Sequence, residues 1–377
     1  MVKNIVRCVE RFLCKKLKIN YQILIIFSLI CLVVSYKTGL KHDYRQYIGQ
    51  WMLVLSNDDP WRTNNAYGPL HNIFAYLLPI SNLAPKVLIV GFFLLAHGLL
   101  IYEISDRNWR EISLGYFLSI PANFLFIGVV VIYGLNDSFV AAILVLSILA
   151  RNKRFMGVSG GLVGLAALVK FYPVLLLPFF ALDDRKISIK LLSWGGFVFF
   201  LGMCIGYALW GASVFSPILF GAERGPKLMS VIAALRSLLG DTDIVLFLIK
   251  FNSAFVIVGV TLAFFAVRKI DLNWLPSAVI GYFVVLTLYK VGHQQFYLPL
   301  ISMVSALPLV KDRDARFLLV CMIPFVLCVS IYQFGFQFGS DQYREKLGWV
   351  GSYGGFFFFL VSILTLSLFF RMRKSRH

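Results

Sequence analysis

The sequence predicts an all-α polytopic membrane protein, and three observations carry that prediction. Of its 377 residues, 59% are hydrophobic and only 14% charged, with a mean hydropathy of +0.80. Soluble domains run near 25% charged. The apolar runs approach or exceed the roughly 17–25 residues that cross a hydrocarbon core. They are rich in Leu, Ile, Val, Phe and Gly and lack the alternation of barrel strands, which leaves helices.

Apolar runs between polar breaks predict twelve helices, over about 19–36, 84–105, 112–133, 137–150, 155–170, 172–182, 187–210, 245–267, 273–289, 295–310, 316–333 and 350–370. The first run follows a basic segment, 1–18, as in a signal peptide, but the SYKTG after it lacks a small-x-small cleavage site. It reads as a retained helix. The first long hydrophilic interval, 37–83, then forms a loop. Within it, 48–55 and 73–80 are apolar but too short to span, so they read as interfacial helices. Pro60, Pro69, Pro79 and Pro85 bound them. The stretch 228–239, with Lys227 and Arg236 beside it or within it, reads the same way.

The interval 155–182 is open between one long helix and a hairpin through Lys170-Phe-Tyr-Pro173, and charge decides it. With the hairpin, 23 of the 36 basic and nine of the 18 acidic residues share one face, a net of +14; the opposite face holds 13 basic and nine acidic, a net of +4. The positive-inside rule makes the first face cytoplasmic and places both termini there. The second arm, holding Pro173 and Pro178, is short and prone to break. The formal charge of +18 is thereby read as a topology signal and not as a nucleic-acid surface. Cys8 and Cys14 lie in the basic segment, and Cys31, Cys204, Cys321 and Cys328 in apolar runs. No structural disulfide and no metal site is expected. No internal repeat or linker divides the chain, which reads as a single domain, 1–377.

This topology gathers the unusual polar residues on the external face. The loop 37–83 holds Asp43, Arg45, Asp58, Asp59, Trp61, Arg62, Tyr67 and His71. Asp43 stands just after the first helix, where a carboxylate can remove a proton from a sugar hydroxyl; it could equally pair with Arg45 or cap a short helix. Asp58-Asp59-Pro60 has the composition of a turn. Asn136-Asp137 has that of a helix N-cap. Lys170, at bilayer depth, should face a cavity and not lipid. Arg224, Lys290 and His293 come from two basic segments between helices; together they could bind a phosphate and stabilise its charge as a leaving group. Interfacial lysines and arginines also snorkel toward lipid phosphates.

Five stretches in chain order carry a resemblance: Asp43 in D-Y-R-Q-Y after the first helix; Asn65-Ala-Tyr67-Gly-Pro69-Leu70; Tyr133-Gly-Leu-Asn136-Asp137; 160–178, GGLVGLAALVKFYPVLLLP; and Lys290-Val-Gly-His293-Gln294-Gln295-Phe296-Tyr297. With these the chain resembles the GT-C class of polyprenyl-phosphate-sugar-dependent glycosyltransferases, in particular glycosyltransferase family 87 and GPI-mannosyltransferase-I-like proteins. It departs from their G-Q-N-D element in having Leu135 where Gln is frequent. The resemblance implies a GT-C-like bundle of about twelve transmembrane helices. It implies inverting, metal-independent transfer of a mannose-like hexose from a polyprenyl-phosphate sugar to a lipid-linked glycan or glycolipid, with no cofactor. Asp43 would be the base. Arg224, Lys290, His293 and Lys170 would hold the donor phosphate. Arg45, Tyr47, Tyr67, His71, Gln294 and Gln295 would line the substrate site. The short loops suit a prokaryotic plasma membrane, with the site on its outer face. Competing readings are a polysaccharide polymerase or ligase and a lipid-linked-sugar transporter (flippase). Transporters place ionisable groups near the midplane and often carry inverted repeats.

The +14 to +4 charge division predicts that cysteines introduced at 43 or 293 react with an impermeant reagent on intact cells, whereas those at 153 or 374 do not. Labelling of 43 only after permeabilisation contradicts the topology.

Overall fold

The computed structural model describes residues 16–18, 21–62, 65–105, 111–113, 125–183, 186–310, 312–338 and 341–374. These are overwhelmingly helical. The helices are α1 Tyr21–Lys37, α2 His42–Leu55, α3 Ala84–Ile104, α4 Asn136–Asn152, α5 Met156–Val169, α6 Leu177–Phe180, α7 Ile189–Trp210 and α8 Ser216–Glu223. They continue as α9 Val231–Leu239, α10 Asp243–Lys250, α11 Asn252–Lys269, α12 Trp274–Leu288, α13 Tyr297–Ser305, α14 Arg313–Phe338 and α15 Asp341–Lys374. Among the described residues, five helical segments are long and apolar enough to cross a membrane, and a sixth is the bent pair Phe126–Ile132 with α4. Gln22–Lys37, Met156–Val169 and Trp274–Leu288 are shorter apolar helices. Much of the expected run 112–133 lies outside the described residues.

Two departures from the sequence reading, and one sharp bend between expected helices, have identifiable causes. The arm expected as a helix over 172–182 is a 3-10 stretch, Tyr172–Leu176, followed by the four-residue α6. Lys170 is extended at the end of α5, and Pro173 and Pro178 deny further helical hydrogen bonds. The run expected over 245–267 is two helices that meet at Phe251, and the Asn252 side chain ties their junction to the end of α12. It donates to the Leu288 carbonyl at 2.8 Å and accepts from the Lys290 amide at 2.9 Å. The π-helix Phe126–Ile132 and α4 meet at 106°, with Gly134 at φ +64 in the bend. Only glycine adopts that conformation without cost.

The first loop is folded against the bundle. The expected interfacial stretch 48–55 is the second half of α2, and 73–80 overlaps the 3-10 stretch Pro69–Leu77. Tyr44, Tyr47, Trp51 and Val54 recur at helical spacing on α2 and are buried. The Tyr47 and Trp51 rings meet His71 and Phe74 of the 3-10 stretch, with centroids 5.0–5.9 Å apart for Tyr47–His71, Trp51–His71 and Trp51–Phe74. Gly68 ties this layer to α5: its amide donates to the Val169 carbonyl at 2.9 Å, and a Cβ there would strike the Leu168 carbonyl.

Short ladders close the connections. β1 Lys16–Lys18 pairs antiparallel with β2 Glu111–Ser113, and β3 Leu182–Asp183 with β4 Lys186–Ile187. β5 Lys227–Leu228 pairs parallel with β6 Val291–Gly292, so each residue pairs with one 64 positions further along the chain. A Cβ on Gly292 would come within 2.5 Å of the Ser230 nitrogen and 2.6 Å of the Met229 carbonyl carbon. Gly292→Ala is therefore expected to push β5 from β6, at about 1–3 kcal/mol for overpacking. Thermal unfolding in detergent checks this; an unchanged midpoint contradicts the close packing.

Candidate functional site

The polar centre is built by breaks in helices. Asp43 lies in the first turn of α2, where a carboxylate is favoured by the helix dipole. It is half-buried, caps nothing and makes no ion pair with Arg45, which points outward. Among the described residues no hydrogen bond or ion pair holds its carboxylate. Its charge acts on Tyr47, Tyr67 and Lys170. The hydroxyls of Tyr47 and Tyr67 share a 2.7 Å hydrogen bond beside it. Asp58 and Asp59 form the turn their sequence suggests: Asp58 pairs with Arg62 at 3.1 Å, and Asp59 accepts from the Trp61 amide at 2.9 Å and Ser213 Oγ at 3.0 Å.

Asn136-Asp137 is not an N-cap. Leu135 occupies the cap position of α4, and both side chains turn into the interior. Lys170 Nζ donates to Asp137 Oδ1 at 2.7 Å, with the aspartate side chain fully buried and the lysine 7% exposed. Tyr172 OH donates to the same oxygen at 3.4 Å. The ammonium also lies 3.8 Å from the Phe296 ring centroid, 5.4 Å from that of Tyr67 and 5.7 Å from that of Tyr172. Aromatic faces attract a desolvated cation. Asp137 Oδ2 is buried without a partner. Asn136 Nδ2 donates to His71 Nδ1 at 2.8 Å, which selects the neutral ring. Burial pushes His71 down to about 3.

The second cationic group comes through the β5–β6 ladder. Arg224 Nη2 donates to His293 Nε2 at 2.7 Å. Burial, and then the charges of Arg224, Lys170 and Lys227, hold His293 at about 3, so it is a neutral acceptor that orients the guanidinium. Lys290 belongs to the same loop but uses its ammonium otherwise. Buried, it donates to the carbonyls of Ala222 at 2.5 Å and Ile249 at 3.1 Å, clasping the ends of α8 and α10. Gln294 and Gln295 are half-buried in the 3-10 stretch Gln294–Phe296, which sets Phe296 against Lys170.

Lys170 and Arg224 border a cavity of about 430 Å³. Its remaining wall is overwhelmingly apolar, with Phe171, Phe199, Ile218, Val256 and Leu286 among the lining residues and no carboxylate. Such a cavity suits a ligand with a hydrocarbon chain and an anionic head. Arg224, His293, Lys170, Tyr67 and Asp43 thus converge, Lys290 braces from behind, and Arg45 stays outside. Asp137 is the addition that sequence reasoning missed; its signal was a carboxylate at the same depth as Lys170. Among the described residues no group of three or more His, Cys, Asp or Glu side chains is placed to hold a metal ion. No protein family, no curated protein and no solved structure matches the chain.

The two neutral histidines set a pH dependence. Unfolded, each titrates near pH 6.5; folded, each binds a proton only near 3. Between those values the unfolded chain holds more protons, so their contribution is complete above pH 6.5 and is lost as pH falls below it. The expected slope is up to about 1.4 kcal/mol per pH unit for each histidine. His293→Gln should flatten the fall in thermal midpoint between pH 6.5 and 4.5. A variant slope equal to the parental one contradicts the assignment.

Proposed function

We propose that the chain is an inverting glycosyltransferase that moves a mannose-like hexose from a polyprenyl-phosphate donor to a lipid-linked glycan or glycolipid. The observation that carries this reading is the apolar cavity bordered by Lys170 and Arg224, together with Asp43, whose charge acts on Lys170 and Tyr67 and whose carboxylate forms no ion pair among the described residues. The hydrocarbon wall suits the polyprenyl chain, and the two cations suit its phosphate. The wider reading includes a GT-C-like bundle of about twelve crossings with both termini cytoplasmic, in a prokaryotic plasma membrane with its site outward.

In the proposed reaction the acceptor hydroxyl oxygen attacks the anomeric carbon from the face opposite the phosphate. The bond from that carbon to the phosphate oxygen breaks, and its electron pair leaves with the polyprenyl phosphate. The hydroxyl proton passes to Asp43. Arg224, oriented by His293, and Lys170, held by Asp137, stabilise the negative charge gained by the leaving group. Tyr67 and Tyr47, hydrogen-bonded to each other, flank the carboxylate. Gln294 and Gln295 complete the proposed substrate surroundings, His71 braces the start of α4 through Asn136 instead of meeting substrate, and Lys290 holds the loop that carries His293.

A lipid-linked-sugar transporter is the second reading. The break between the π-helix and α4, with an ion pair at its mouth, resembles the interrupted helices of transporters. Turnover separates the two. With purified protein and a panel of polyprenyl-phosphate sugars, Asp43→Asn should keep donor binding and lose transfer by about 10²–10⁴-fold. Asp58→Asn and Asp59→Asn should cost far less, since their carboxylates hold a turn. Arg224→Ala should cost about 10- to 150-fold, the worth of a charge-assisted contact. Parental turnover in Asp43→Asn contradicts its role as base, and movement of lipid-linked sugar with no product selects the transporter.

A further inference from the structure

Lys86 is fully buried in the first turn of α3. A cation there opposes the helix dipole, so its placement has another cause. Its ammonium donates to Thr38 Oγ1 at 3.0 Å, the Gly39 carbonyl at 2.9 Å and the Ile132 carbonyl at 2.7 Å. Three donors thus meet three acceptors.

Those acceptors lie at the C-terminal ends of two helices, α1 and the π-helix Phe126–Ile132. Such ends expose unpaired carbonyls and partial negative charge. Both turn through a left-handed glycine, Gly39 at φ +63 and Gly134 at φ +64. Thr38 Oγ1 strengthens the junction, reaching the carbonyls of Ser35 at 3.0 Å and Ile132 at 3.4 Å. After Gly39 the chain enters α2, with Asp43 in its first turn; after Gly134 it enters α4, with Asp137 in its first turn. Gly134 also leaves room for the lysine stem: a Cβ there would lie 3.1 Å from Lys86 Cε and 3.2 Å from Cδ.

We propose that Lys86 is a positioning residue, joining the two helix ends and so fixing the Asp43-bearing and Asp137-bearing segments relative to each other. Only the kinetic consequence rests on the transfer reading. Lys86→Met keeps the stem and removes all three donors. In nanodiscs, its amide hydrogen exchange should rise in peptides covering both 38–46 and 132–140. Transfer kcat should fall about 10²-fold, the cost of roughly 1 Å of misplacement, with donor affinity and KM at parental values. Gly134→Ala presses on the same stem and should act in the same sense, less than additively with Lys86→Met. If Lys86→Met does not fold, Gly134→Ala carries the same measurements. Faster exchange around residue 86 alone, a parental kcat despite faster exchange at both segments, or a raised KM at constant kcat overturns the proposal. If the parent protein transfers from no donor, the transfer reading fails by itself, and exchange at the two segments alone decides whether the clasp exists.

Discussion

The buried pair between Lys170 and Asp137 is the interaction on which the rest of the polar centre depends. Desolvating two charges is costly, and removing one partner of such a pair costs about 3–5 kcal/mol, because the other charge is left alone. Two backbone interruptions make the pair possible. Lys170 is extended where α5 ends, and the bend before α4 turns Asp137 inward. Both interruptions come from ordinary rules of chain geometry, proline in one case and a left-handed glycine in the other. With the pair formed, the ammonium lies against Phe296 and beside the cavity, and Tyr67 is drawn to the same point through the Gly68–Val169 contact.

A division of labour among the cations follows from their partners. Lys86 and Lys290 donate to main-chain or hydroxyl oxygens at helix ends and serve as clasps. Arg224 is held by a neutral histidine, and Lys170 by one carboxylate oxygen, and both border the cavity. In the proposed transferase the bracing cations keep the broken helices in register, and the bordering ones meet the donor phosphate.

Much of the scaffold was legible in sequence, because the apolar runs are long and their polar breaks sharp. The membrane class and the turn at Asp58-Asp59 follow from local composition, and the break at 170–173 from the charge balance of the whole chain. Arg224 and His293 could be grouped by shared face, although their contact depends on a two-residue ladder with no periodic signal. What escaped was decided at a distance. Asn136-Asp137 has the composition of a cap, yet its partners are His71 and Lys170, 65 and 33 residues away. Lys290 reads in sequence as a phosphate ligand, and nothing local shows that its ammonium donates to the Ala222 and Ile249 carbonyls. The junction within 245–267 is tied to Leu288 and Lys290 by Asn252, a contact across the fold that no hydropathy profile contains.

The central claim is that a polyprenyl phosphate enters the cavity bordered by Lys170 and Arg224. A structure of the protein in lipid nanodiscs with a polyprenyl-phosphate sugar tests it most directly. The account predicts phosphate oxygens at about 3 Å from Arg224 and Lys170, the hydrocarbon chain along Phe171, Ile218 and Leu286, and the sugar toward Asp43. A chain lying instead in the apolar groove between α1 and α3, lined by Leu24, Leu32 and Leu94, with its phosphate remote from both cations, would contradict it.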